Sequence, residues 1–571
     1  MSSTDWLPLV GPWVERLMPH LLLAPILLPL ASAALMLLLG EERQRGKLVL
    51  NIGSTLAGLC VALALLLYSD RPGPSATLGV YLPGNWPAPF GIVLALDRLS
   101  ALMLLLTSLV ALCSVLFAGA RWQRAGVLYQ ALFQFQLMGL AGAFLTGDLF
   151  NLFVFFEIML AASYGLLLHG SGRARVQSGL HYIAINLAAS SLFLIGVSML
   201  YGITGTLNMA DLARSIPQVA AADRGLLHAA AGILATAFLI KAAVWPLNFW
   251  LVPAYSAATA PVGALFALMT KVGIYTILRL WTLLFSSEAG VSALFGSLWL
   301  IGAGMATMAF GAIGMLGASR LTHLAGYAAV LSSGTLLAAT GFGQNLLTAG
   351  LLYYLPSSTL AVSALFLVAD LVERWRSDGP PPDDDAPFLA PDLKTYVGLN
   401  FDEDQEVLIG KVIPAAAALL GLGFMVCTLV ITGLPPLSGF VGKLAMLTAL
   451  LNPLGLGSSA GQHLGTAGWL LFGLLIVTGL LALIALTRTG VRYFWARHDR
   501  GAPQVRLAEG LPIALLLGAC AALTVQAGPV IRFTEATANA LHAPGTYIDA
   551  VMSATPKPGP VTPADTPEAP R

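Results

Sequence analysis

Apolar runs long enough to cross a bilayer follow one another with short breaks from residue 20 to residue 527, and they dictate the fold class. Inside lipid every backbone N–H and C=O must be satisfied within the protein, so runs of this length become helices. About fourteen spans are expected, near 20–40, 48–68, 98–119, 126–146, 148–168, 179–201, 226–258, 261–285, 292–317, 321–341, 345–373, 408–451, 466–493 and 507–527. Only 10% of the residues are charged, where a soluble domain carries about a quarter. The chain is therefore read as an all-α polytopic membrane protein. Its net charge of +1 offers nothing to nucleic acid.

Two of these runs, the seventh and the twelfth, are too long for one straight helix, and both contain breaks. The first holds Trp245-Pro246, and the second holds Pro435-Pro436 and Ser438-Gly439. Broken backbone at membrane depth persists only where protein or a water-filled cavity satisfies it. Each break also has a lysine beside it, Lys241 or Lys443. Interrupted helices in corresponding places of two halves point to the ion path of a transporter.

Four ionisable residues stand alone within apolar runs: Glu157, Lys241, Lys271 and Lys443. The chain has roughly three times as many Arg as Lys, yet three of its few lysines lie here. Arg is always charged, whereas a desolvated Lys can release its proton near neutral pH. Charged groups at membrane depth are costly and mark ion pathways or proton relays. Alone in hydrocarbon, Glu157 would stay protonated; opposite Lys241, two spans further on, either group can hold or expel the other's proton. The same two residues also suit a static ion pair that joins helices, although desolvation offsets much of its attraction. Lys271 lies mid-span, where snorkelling to a headgroup is disfavoured; Arg279, eight residues on, suits snorkelling better. Lys443 follows a break where water or bent backbone can meet its amine.

The remaining polar residues are less specific. His323 is the one histidine placed to titrate inside a path, and it equally suits a helix end. Ser332, Ser333, Ser358 and Thr359 can hold water between relay groups or bond back to their own helices. Asp148 is read as a helix cap and Asp97-Arg98 as an interfacial pair. Cys60, Cys113, Cys427 and Cys520 lie in apolar stretches without CxxC spacing and are read as packing residues. The eight histidines show no metal-ligand spacing, so no metal site is assigned and no cofactor is expected.

Loop charges set the expected orientation. Arg43, Arg45 and Lys47, then Arg121 and Arg124, Arg173 and Arg175, and Arg488, Arg492, Arg497, Arg500 and Arg506 all fall on one side. The positive-inside rule makes that side cytoplasmic and puts both termini outside. The acidic residues Asp5 and Glu15 argue against a signal peptide, so the first run is read as a retained span. An acidic cytoplasmic loop is expected at 374–411, with Asp383, Asp384, Asp385, Asp402, Glu403 and Asp404, and a disordered Pro-rich tail at 553–571.

The string GDLFNLFVFFEIMLAASYGLLLHG (147–170) resembles the D subunits of Mrp-type cation/proton antiporters, also called Mnh or Pha systems. KAAVWPLNFWL (241–251), TAPVGALFALMTKVGIYTILR (259–279) and GLPPLSGFVGK (433–443) are similar to further hallmark segments. YYLPSSTLAVSALFLVADL (353–371), with the acidic insert after it, leans towards the Pha branch. The resemblance runs from about the third to the thirteenth span and extends to the proton-pumping membrane subunits of respiratory complex I. It implies fourteen helices with two inverted five-helix repeats and half-channels meeting on a central polar axis. By matching position it implies that Glu157 is the essential carboxylate, Lys241 its partner, and Lys271 and Lys443 the central lysines of the eighth and twelfth spans. Where many relatives carry a histidine in the tenth span, this chain has Ser332, Ser333 and Thr335; in the eleventh it offers Ser357, Ser358 and Thr359. Passage from Lys271 to Lys443 is thus open to His323, to hydroxyl-held water, or to neither.

The expected organisation is helices one to three in 1–119, a first antiporter-like repeat in 120–285 and a second in 286–500, which contains the acidic loop. Helix fourteen and its flank follow in 501–552, then the tail. The expected function is that of a secondary-transporter subunit in a bacterial inner membrane rather than an enzyme. It moves protons along Glu157, Lys241, Lys271 and Lys443 while a hetero-oligomeric complex exports Na⁺ or K⁺. The alternative is a proton-pumping subunit of a redox-driven complex, of the complex I or membrane hydrogenase type; a third reading is a passive scaffold whose charges merely join helices.

Overall fold

The computed structural model describes residues 20–556 apart from 41, 72–77, 122–125, 127, 171, 378–414, 454, 456–464, 496–502 and 504. The acidic residues of the 383–404 stretch, the tail beyond 556, and Asp5, Glu15, Arg124, Arg497 and Arg500 lie outside the described residues.

Helices dominate, as the apolar runs require. The N-terminal group is α1 (Ala24–Leu38), α2 (Gln44–Ser69) and α3 (Arg98–Arg121), with a two-stranded antiparallel pair, β1 (Gly79–Tyr81) and β2 (Leu94–Leu96), between the last two. Next come α4 (Tyr129–Leu145), α5 (Leu149–Leu168), α6 (Arg173–Thr204), the short α7 (Met209–Ser215), α8 (Arg224–Lys241), the short α9 (Leu251–Ala257) and α10 (Ala260–Leu284). They are followed by α11 (Ser297–Gly317), α12 (Leu321–Gly341), α13 (Asn345–Ser377), α14 (Ala415–Thr432), α15 (Ser438–Leu451) and α16 (Thr466–Gly490). The last three are α17 (Leu507–Val525), α18 (Ala527–His542) and α19 (Gly545–Met552). Among the described residues, twelve helices are long and apolar enough to cross a membrane, and α1 and α15 are shorter apolar helices. The chain is an all-helical polytopic membrane protein.

Local chemistry fixes several helix ends. Asp148 starts α5 by accepting a hydrogen bond from the Asn151 N–H at 2.9 Å, as read for a cap. Asn208 does the same for α7, accepting from Ala210 and Asp211. α13 runs on to Ser377, so the first residues of the expected acidic loop continue the helix and Arg374 faces protein.

The centre of the molecule is α10, buried along its whole length, with α12 and α13 almost as enclosed. The two expected breaks are present. α8 ends at Lys241 and helix resumes only at Leu251; α14 ends at Thr432 and α15 begins at Ser438. At the second break the halves touch at backbone level, because a Cβ on Gly439 would collide with the Val430 carbonyl oxygen. Neither atom belongs to a side chain that can swing aside. Gly439→Ala is therefore expected to force the halves apart and cost about 1–3 kcal/mol. A lowered thermal midpoint of the purified protein is the expected reading, and an unchanged midpoint would show that the break is looser than described.

One end of the bundle gathers the arginines. Glu509 accepts from Arg121 Nε at 3.1 Å and from Arg374 at 3.0 Å, tying α3, α13 and α17 together. Arg506 donates to the Ala120 carbonyl, Arg488 to the Leu316 carbonyl and Arg175 to the Ala257 carbonyl. The opposite end is stitched by loops: Leu94 bridges Thr146, Asp148 bridges Asn208, and Gly147 N donates to the Val93 carbonyl at 2.8 Å. The flank expected after 527 is instead two further helices. α18 is amphipathic, with Thr534, Thr537, Ala538 and Leu541 turned inward, and it bonds the start of α13 through Asn539–Asn345 and His542–Thr348.

Candidate functional site

Lys241 is the last residue of α8, so the broken backbone begins at its own carbonyl. Gly273 of α10 lies directly against this break, 2.7 Å from Ala242 N where a Cβ would be, which leaves no room for a side chain there. Lys241 is only 5% exposed, and its Nζ has no hydrogen-bond partner among the described residues. It rests over the ring of Phe156 at 5.1 Å from the centroid, a cation–π contact.

Glu157 is the next residue of α5, half-buried, and accepts a hydrogen bond from the Ser190 hydroxyl of α6. The described ion pairs do not include Glu157 with Lys241. Lys241 thus lies over the ring of the residue that precedes Glu157, while Glu157 bonds Ser190, and the static ion pair is not formed among the described residues. Other unpartnered polar atoms surround the break: Asn248 Nδ2, Trp250 Nε1, Tyr255 OH and Thr259 Oγ1. Buried polar groups of this kind are satisfied by ordered water.

Lys271, on α10, is 1% exposed. Its Nζ donates to the Ser332 hydroxyl, to Ser333 Oγ at 3.2 Å and to the Ala329 carbonyl at 3.4 Å, all on α12. The ammonium therefore sits among neutral oxygens, with no carboxylate among its described partners. Lys443, 7% exposed on α15, reaches back across its break to the Thr432 carbonyl at 2.8 Å and the Ile431 carbonyl at 3.4 Å. Those are unpaired carbonyls at the C-terminus of α14, where the helix dipole favours a cation. The two breaks thus use their lysines differently: one ends a half-helix, the other caps one.

The hydroxyls separate in the same way. Ser332 and Ser333 hold Lys271, whereas Ser358 and Thr359 bond back to the Leu355 carbonyl and Ser357 pairs with Ser438 at 2.8 Å. Between the two lysines lies a residue that reading the sequence missed. Tyr354 is buried, and its backbone packs on Gly442, next to Lys443. His323 is in the first turn of α12, beside Arg320 and Glu373. It is nine residues from Ser332, roughly 13 Å along the helix, so it stands at the arginine-rich end and not between Lys271 and Lys443.

Two readings of charged pairs are corrected. Arg279 does not snorkel: it is buried and donates to Asp97 Oδ1 at 2.6 Å, with Tyr275 and Tyr547 on either side of its guanidinium. Asp97 consequently pairs with Arg279 and not with Arg98, which reaches Asp70 at 3.4 Å. Burial alone would raise the Asp97 carboxyl, but Arg279 and the Ser100 hydrogen bonds outweigh it and hold the group below its ordinary value. A buried amide network also went unread: Asn51, Gln130 and Gln134 bond one another between α2 and α4, joined by Ser54 and Thr55. Its signal was present as three glutamines, 130, 134 and 136, inside an apolar run.

Among the described residues no group of three His, Cys, Asp or Glu is placed to hold a metal ion. The arrangement offers buried amines that can hold protons: Lys271 among hydroxyls and a carbonyl, Lys443 on carbonyls, and Lys241 over an aromatic ring.

Residues 146–455 match the family described as NADH:quinone oxidoreductase/Mrp antiporter, TM. The chain is 50% identical over 552 residues to the D subunit of a probable K(+)/H(+) antiporter from Rhizobium meliloti (strain 1021), covering 96% of this chain and 99% of that one. It is 32% identical over 542 residues to the D subunit of an Na(+)/H(+) antiporter from Alkalihalophilus pseudofirmus, covering 94% and 100%. Its fold matches a chain in the structure of the Mrp complex from Dietzia sp. DQ12-45-1b with a TM-score of 0.78 at 26% identity, covering 94% of this chain and all of that one. The chain belongs to the NADH:quinone oxidoreductase/Mrp antiporter membrane family and, within it, to the D subunits of Mrp-type antiporters.

Proposed function

We propose that this protein carries protons along Glu157, Lys241, Lys271 and Lys443 while the multisubunit complex around it exports a monovalent cation. K⁺ ranks ahead of Na⁺ as that cation, because the relative at 50% identity is named for K⁺ and the one at 32% for Na⁺. The observation that carries the reading is Lys271: an ammonium at membrane depth whose partners are all neutral oxygens. Such a group is poised to give up its proton when a neighbouring charge changes. Glu157, and Lys241 over the ring of the preceding Phe156, supply that changing charge.

In this reading the bundle crosses the membrane fourteen times, counting α1 and α4 with the twelve longer helices. The two broken helices head corresponding positions in inverted repeats at 120–285 and 286–500. The arginine-rich end faces the cytoplasm of a bacterial inner membrane and both termini face out. The gathering of Arg121, Arg374, Arg488 and Arg506 at one end supports that orientation.

The test is cation-driven collapse of a proton gradient in inverted vesicles from antiporter-deficient cells that express the full set of subunits. Wild type should respond to K⁺ more than to Na⁺. Glu157→Gln should lose exchange by at least about 100-fold, the scale of a lost acid–base group, while remaining in the membrane. Normal exchange by that variant in the assembled complex would refute the relay, and a stronger response to Na⁺ would reverse the ion assignment.

A further inference from the structure

A groove of about 400 Å³ opens between the first turns of α13, the length of α15 and the first half of α18. Leu346, Ala349, Leu444 and Ala449 make its lining apolar, and Ile531 joins them from α18. Arg374 lies at the far end of α13 and α17 starts beside Arg506, so the groove is at the end of the bundle away from the arginines. It is open at its side, because Leu444 keeps 44% of its surface exposed on an apolar helix of a membrane protein.

The second half of α18 is fastened to the start of α13 through Asn539–Asn345 and His542–Thr348. Its first half carries Arg532 and Glu535, three residues apart and therefore neighbours on one side of the helix. Glu535 is half-buried and is the one charged residue on the described lining of the groove; Arg532 is exposed beside it. The described ion pairs include neither of them. An amphipathic helix with a cation and an anion on its polar side is suited to the headgroup layer of a bilayer.

Size and charge together select an occupant. A helix about 10 Å across fills roughly 400 Å³ per turn, so the groove is too small to enclose a membrane-crossing partner helix. It is within the range of small-ligand cavities, about 300–1,000 Å³, and its apolar walls suit one hydrocarbon chain. At the rim, the Arg532 guanidinium matches a phosphate, and the Glu535 carboxylate accepts hydrogen bonds from an ammonium. A purely anionic headgroup would meet repulsion from Glu535, and a quaternary ammonium has no N–H to donate to it.

We propose that this groove binds one phospholipid of the phosphatidylethanolamine class, with an acyl chain against α13 and α15, its phosphate on Arg532 and its primary ammonium on Glu535. The lipid fastens the first half of α18, as the two side-chain hydrogen bonds fasten the second, and fills the space beside α15. The site stands apart from the proton relay and does not depend on it.

The test uses the assembled complex, purified in detergent and depleted of lipid, then irradiated with a phosphatidylethanolamine that carries a diazirine on one acyl chain. Adducts should map to residues 346–353 and 441–449. Unlabelled phosphatidylethanolamine should compete at least fivefold better than phosphatidylglycerol or phosphatidylcholine. Glu535→Gln should abolish that preference, Arg532→Gln should weaken all three competitors alike, and Ile531→Trp, which adds bulk inside the groove, should cut adducts at least fivefold. Equal competition by the three lipids, or a preference that survives Glu535→Gln, would overturn the headgroup assignment and with it the proposal. Absence of adducts in the groove would refute lipid binding there. In that event, p-benzoylphenylalanine in place of Leu444 would crosslink to another subunit if protein covers the groove instead. None of these readouts involves exchange, so they are unaffected by the fate of the relay.

Discussion

Lys271→Arg is expected to abolish cation/proton exchange, by at least about 100-fold, while the protein still assembles. The substitution keeps a positive charge and keeps donors for Ser332, Ser333 and the Ala329 carbonyl. It removes the ability to become neutral, because a guanidinium holds its proton in any protein environment. A relay fails under that change, whereas a scaffold that needs only a fixed charge does not. Extra volume is a second consequence in a helix that is buried along its length, so Lys271→Gln should be measured beside it. The check is exchange in vesicles at matched membrane content of the complex. If Lys271→Arg exchanged at wild-type rate, proton release from this amine would be excluded.

The second large effect concerns stability. Glu509→Gln should destabilise the protein by about 3 kcal/mol, at the lower end of what is lost when one partner of a buried ion pair is removed. Glu509 is 1% exposed and answers two guanidinium groups, those of Arg121 and Arg374, while its other oxygen accepts the Arg506 N–H at the start of α17. The amide keeps the shape and loses the charge, leaving Arg121 without a described counter-ion and Arg374 with Asp370 at 3.5 Å. The lower end applies because Arg121 and Arg374 keep 39% and 24% of their side-chain exposure, and water screens part of the attraction. Thermal unfolding of the purified protein is the measurement. Adding Arg374→Gln should recover part of the loss, since it removes a charge that residue 509 no longer balances; strictly additive losses would mean that the two residues do not interact.

Much of the candidate site was legible from one property, the cost of charge in hydrocarbon. Glu157, Lys241, Lys271 and Lys443 are conspicuous because nothing near them in sequence is charged, and the prolines announced both breaks. The resemblance to Mrp-type D subunits, read on four segments, agrees with the family match over 146–455. Partner choice was not legible. Asp97 has Arg98 beside it in sequence but pairs with Arg279, 182 residues away. His323, one of three options left open for the passage to Lys443, stands at a helix mouth. Tyr354 and Ser190 gave no signal, since a tyrosine or serine within an apolar helix is ordinary until its neighbour is known. α18 and α19 were missed because an amphipathic helix lying against a bundle lacks the long apolar run that betrays a span.

By itself the sequence determined that this chain lives in a bilayer as a set of helices, where two of them break, and which few residues bear charge inside. Those follow from local composition, because burying backbone and charge in lipid has a cost that each segment meets alone. Only the tertiary structure decided which oxygens surround Lys271 and Lys443, that Lys241 lies over the Phe156 ring while Glu157 bonds Ser190, and that Arg279 pairs with Asp97 instead of reaching a headgroup. Those depend on which helix faces happen to meet, and a hydrogen bond of about 3 Å cannot be read from residues that lie on different helices tens of positions apart.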